Sequence, residues 1–110
     1  MRAAALLVVA ACQQDPYTPY LSSVDPISAQ HGAVVTIYGS LLCGPSSNCT
    51  NAGGEIQIGL DPPVVQAVID NYTAYNVEIT IPTAAPVGKT SLVLTVDGRS
   101  SNALAFEVLP

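Results

Sequence analysis

Apolar and polar residues alternate strictly in short runs, and those runs are separated by turn residues. From Tyr75 to Ile81, Val77, Ile79 and Ile81 fall on one side and Asn76, Glu78 and Thr80 on the other. A period of two is the geometry of a strand with one buried face. The same pattern places Leu92, Leu94 and Val96 inward in Thr90 to Val96, and Leu104, Phe106 and Val108 inward in Ser101 to Leu109. Ala33 to Gly39 sets Val35 and Ile37 against Val34, Thr36 and Tyr38, and Glu55 to Gly59 turns Ile56 and Ile58 inward. Leu21 to Val24 reads as a first strand ended by Asp25-Pro26, and Val64 to Asp70 as a strand of undecided facing. Asp97-Gly98 is a hairpin signal, because both residues tolerate positive φ. No segment sustains a 3.6-residue period, and the nine prolines are spread throughout, which argues against a long helix. The expected fold is an all-β sandwich of about seven strands.

The N-terminus has a different grammar. Arg2 precedes nine apolar residues, Ala3 to Ala11, and the sequence turns polar after Cys12. A basic start, an apolar middle and small residues before a cleavage point make a secretory signal, and nine residues are too few to span a bilayer. Val9-Ala10-Ala11-Cys12 resembles a bacterial lipobox, in which the cysteine is lipidated and becomes the mature N-terminus. A eukaryotic secretory signal or an ordinary buried element are the alternatives. On the lipobox reading, residues 1–11 are a signal peptide and residues 12–19 are a lipidated cysteine and a short tether. Residues 20–110 then form one domain in the bacterial cell envelope. Gln13 resembles an outer-membrane sorting signal in a two-membrane bacterium, because it is not Asp. The tether from Gln13 to Pro19 spans at most about 25 Å, which keeps the domain beside the membrane.

The mature part, 99 residues from Cys12, carries Lys89 and Arg99 against eight acids, a net charge of −6. A nucleic-acid binder needs a basic face to displace counterions, and two scattered cations cannot supply one. Charge likewise argues against adsorption to anionic lipid, so membrane attachment is expected through the lipid on Cys12. With 49% hydrophobic residues the chain has enough apolar content for a core, and disorder is not expected.

With Cys12 assigned to lipidation, Cys43 and Cys49 form an even pair suited to an oxidising compartment. A disulfide is expected rather than a metal site, because no His, Asp or Glu lies between them. No metal or cofactor is expected elsewhere. His31 is the single histidine, precedes Gly32 in a turn, and has no serine in a nucleophile-elbow context; a solvent-facing turn residue is expected. Asp70-Asn71 and Asp97-Gly98 read as turn formers rather than calcium ligands. The expected loops are too short to wall a cleft around catalytic carboxylates, so no enzyme activity is expected. Tyr38, Tyr72 and Tyr75 are candidates for a sugar-stacking face, since aromatic rings give flat contact area at low entropy cost. Asn48-Cys49-Thr50 and Asn71-Tyr72-Thr73 match the glycosylation pattern, which is informative only on the eukaryotic alternative.

Several motifs, in order, resemble the IPT/TIG family of immunoglobulin-like domains. Asp25-Pro26-Ile27-Ser28 and Gly32 precede Val35-Thr36-Ile37-Tyr38-Gly39. Ile56-Gln57-Ile58-Gly59, Val77-Glu78-Ile79-Thr80-Ile81-Pro82 and Val87-Gly88-Lys89 follow. Asp97-Gly98-Arg99-Ser100-Ser101-Asn102 and Phe106-Glu107-Val108 are similar to the family's close. The insert from Leu41 to Gly53, with its two cysteines, departs from the pattern. The resemblance implies an immunoglobulin-like sandwich, a fold that hosts receptors, spacers in carbohydrate-active enzymes and dimerisation domains, so it leaves function open. The expected role is a non-catalytic interaction or structural module with a protein partner at the envelope. A glycan-binding lipoprotein, or an accessory subunit of a carbohydrate-active enzyme, is the alternative. An exposed aliphatic patch would favour a protein partner, and a contiguous aromatic one a glycan.

Overall fold

The computed structural model describes residues 16–45, 49–62 and 64–110. The expectations on Cys12 and the signal segment lie outside these residues. Among the described residues ten strands follow in order: β1 (Tyr20–Asp25), β2 (Ser28–Gln30), β3 (Val34–Ser40), β4 (Glu55–Ile58), β5 (Val65–Gln66), β6 (Val68–Tyr72), β7 (Asn76–Thr80), β8 (Gly88–Val96), β9 (Arg99–Ser100) and β10 (Leu104–Leu109). One sheet has the order β1-β3-β7-β6 and the other β2-β10-β8-β4-β5, with β9 folded back on β8. The β2–β10 pairing is parallel and the others are antiparallel.

The alternation read from sequence is the alternation of the core. Val35, Ile37, Ile56, Ile58, Val77, Ile79, Leu92, Leu94, Phe106 and Val108 are buried between the sheets, and half-buried Leu104 packs against them. Apolar area removed from water by both inner faces is what holds the sheets together. At Asp97 and Gly98, φ is 50° and 75°, the double positive φ of a tight hairpin between β8 and β9.

The strand count exceeds seven because one expected run divides and two short strands, β2 and β9, lie outside the expected runs. Val64 to Asp70 is two strands in different sheets. The chain crosses at buried Ala67, whose N–H donates to the Ile56 carbonyl at 2.8 Å. A crossing strand presents different sides to the core before and after, so no single alternation fits it. The chain also changes sheet between β1 and β2, where the Asp25–Pro26 peptide is cis. β9 lies just before the last expected run, which begins at Ser101 but pairs as β10 only from Leu104. Ser101 Oγ accepts from Leu94 N–H at 2.9 Å, and the Asn102 side chain accepts from Leu21 N–H at 2.8 Å and donates to Leu21 C=O at 2.9 Å. That amide serves Leu21 as a neighbouring strand would, and ties β1 to the opposite sheet.

Two expectations are corrected. Asp70-Asn71 is not a turn but lies within β6, at a bulge between Ile69 and Asn71. The end of the expected tether is held on the domain: Pro19 is buried, and the Tyr17 ring lies 5.7 Å from the Arg99 guanidinium carbon.

Candidate interaction site

The sandwich has a tether end, where β1 begins and β3 and β8 finish, and a far half, where β8 begins and β10 finishes. At the tether end Cys43 and Cys49 are joined by a disulfide, with Cα atoms 5.1 Å apart. The bridge secures the insert between β3 and β4, and Leu42 and Cys43 are buried beside it.

The three tyrosines expected to stack on sugar do not share one role. Tyr72 is half-buried, packs against the core, and donates its hydroxyl to the Leu42 carbonyl. Burial pushes that hydroxyl above the usual tyrosine pKa. Tyr72 is therefore a structural residue, which corrects its place in a binding face. Tyr38 and Tyr75 stay exposed, at 41% and 71%. Tyr38 stands on the outer face of the β1-β3-β7-β6 sheet, opposite Ser23 and Asn76, and Tyr75 sits at the turn into β7.

His31 is half-buried rather than solvent-facing. Its Nε2 lies 2.7 Å from the Ala85 carbonyl, and since a carbonyl only accepts, the ring donates. The contact braces the turn after β7. The carboxylates of Asp70 and Asp97 are engaged by Thr80 Oγ1 at 2.5 Å and Arg99 at 2.7 Å. Among the described residues no three His, Cys, Asp or Glu side chains gather where they could hold a metal.

The far half carries what the sequence reading missed. A shallow groove of about 300 Å³ is bordered by Leu60, Asp61, Pro86, Val87 and Lys89. A second, of about 370 Å³, is bordered by Ile27, Lys89, Ala105 and Glu107. Lys89 and Thr90 line both, so the grooves adjoin across the start of β8. Ile27, Leu60 and Val87 are 73%, 62% and 54% exposed. Each follows or precedes a Pro or Gly in a connection, outside any alternating strand. Large aliphatics placed in turns are the signal that would have found them.

Residues 19–108, which span nearly the whole sandwich, match the IPT/TIG domain. The chain belongs to the IPT/TIG family. No curated protein matches the sequence. Similar solved structures share the fold of this TIG domain. A gamma-CGTase from alkalophilic Bacillus clarkii has a TM-score of 0.64 at 22% identity, over 84% of this chain and 12% of that one. The TIG domain of human nuclear factor of activated T-cells, cytoplasmic 4, has 0.58 at 12%, over 89% and 93%. An auxiliary nutrient binding protein from Bacteroides thetaiotaomicron has 0.57 at 14%, over 84% and 21%. The chain thus spans only a small part of the gamma-CGTase and of the nutrient binding protein.

Proposed function

We propose that this TIG domain is a lipid-anchored, non-catalytic interaction module of the bacterial cell envelope. Cys12 holds it at the membrane, and the far half engages a protein partner there. The observation that carries the reading is the gathering of Ile27, Leu60 and Val87 on the half away from the tether, around grooves joined at Lys89. Exposed aliphatic side chains brought together by separate connections favour protein contact, because their removal from water is what association gains. The disulfide fits an exported chain.

A second reading, service to a carbohydrate-active assembly, is favoured by the gamma-CGTase and the nutrient binding protein among the structures sharing this fold. Tyr38 and Tyr75 would be its contact residues.

Photo-crosslinking in intact envelopes separates the two. A crosslinking residue at Val87 or Ile27 is expected to capture one defined protein band, and one at Tyr38 to capture none. Capture from Tyr38 alone, lost on adding oligosaccharide, would overturn the protein reading in favour of the glycan one.

A further inference from the structure

We infer that the tether end of the domain is a bilayer-docking surface, with its tyrosines seated in the lipid headgroup layer; the inference rests on the lipid-anchor reading above. Three exposed tyrosines and an exposed leucine ring this end: Tyr17, Tyr20, Leu41 and Tyr75. Backbone contacts bring them together from separate elements. Tyr20 pairs with Ser40, which precedes Leu41. Gly39 N–H donates to the Tyr75 carbonyl at 3.0 Å, and Leu42 N–H to the Ala74 carbonyl at 3.1 Å. Tyr17 joins them through its ring contact with Arg99, in the hairpin that ends β8.

The chemistry of this end suits a lipid interface. A tyrosine ring is apolar along its body and polar at its tip, which places it where hydrocarbon meets headgroup. The charges in the hairpin cancel, since Arg99 pairs with Asp97 at 2.7 Å. Lys89, the other cation after Cys12, lies in the far half, so attraction to anionic lipid is not the driving force. The reach is short. From Cys12 to Tyr17 is five residue steps, at most about 18 Å, so a lipid on Cys12 leaves the tyrosines within reach of the surface. Docking by this end directs Ile27, Leu60 and Val87 away from the bilayer, toward a partner.

The chain has no tryptophan, so an introduced one is a unique reporter. The mature lipidated protein would be placed in phosphatidylethanolamine–phosphatidylglycerol vesicles containing brominated acyl chains, as Tyr75→Trp, Tyr20→Trp and Val87→Trp. The first two variants are expected to lose about half their emission to bromine or more, independent of salt, and the third to lose none. No quenching in the first two variants, or equal quenching in all three, overturns the inference, provided mass spectrometry finds the acyl chains on Cys12. If Cys12 proves unmodified, the anchor reading fails on its own. The same variants would then be coupled through Cys12 to a maleimide phospholipid, Cys43 and Cys49 being engaged in their disulfide. Quenching confined to the Tyr75→Trp and Tyr20→Trp proteins there supports the docking surface, and its absence overturns it.

Discussion

The Tyr72 hydroxyl donates to the Leu42 carbonyl while its ring packs on the core, and a Cβ at Gly54 would overlap that hydroxyl. Burial holds its pKa above the usual value of about 10. A raised folded pKa means the neutral form is the stabilising one. Its contribution is complete below the unfolded pKa and is lost as pH rises through the folded one. Tyr72→Phe should therefore cost about 1 kcal/mol near neutrality, the worth of one hydrogen bond. As pH rises past the unfolded value of about 10 and on through the raised folded one, the wild type should lose more stability than the variant, narrowing the gap. Denaturant titrations of both proteins check this, and a constant gap would contradict it. The sequence hid this role for a local reason. In plain alternation Ile69 facing inward would turn Tyr72 outward, but the bulge between Ile69 and Asn71 restores Tyr72 to the inner side, opposite Val77.

Most elements were legible because a half-buried strand writes its geometry directly as a period of two. The runs around Ile37, Ile79 and Leu94 became β3, β7 and β8 with the expected inner faces. What escaped were places where the chain changes sheet. At Ala67 and at Asp25-Pro26 the inner side switches, and at Ser101-Asn102 side chains take over part of the backbone ladder. The far-half grooves escaped for a related reason: their aliphatics sit in connections, where pattern carries no facing information. The disulfide was legible once Cys12 was set aside for lipidation, because Cys43 and Cys49 then form an even pair with no His, Asp or Glu between them. It closes a loop of sequence separation 6, which by the chain-entropy argument is worth about 2 kcal/mol. Replacing Cys43 and Cys49 together by alanine, which buries no new polar group at Cys43, should lower stability by about that amount and leave the sandwich intact, since the core strands lie outside the loop. Calorimetry with circular dichroism checks both halves; loss of the β spectrum at room temperature would show that the insert organises the fold.

At the scale of the molecule, the two ends differ in chemistry. Tyrosines and a neutralised ion pair lie at the tether end, and grooves edged by Ile27, Leu60 and Val87 and joined at Lys89 occupy the other half. That polarity is what a module held at a surface and facing a partner requires. It could not be read from sequence, because Ile27, Leu60 and Val87 come together only through the crossing at Asp25-Pro26 and the turns at Gly59 and Gly88. The anchor is the claim on which the orientation depends. Each buried CH₂ adds about 0.8 kcal/mol, so two or three acyl chains hold a small domain stably where charge would not. The intact mass of the protein extracted from envelope membranes tests this most directly. The expected species is a chain beginning at Cys12, with the mass of a diacylglyceryl group localised to that residue by fragmentation. A chain that retains Met1, or that begins elsewhere with Cys12 unmodified, would contradict it.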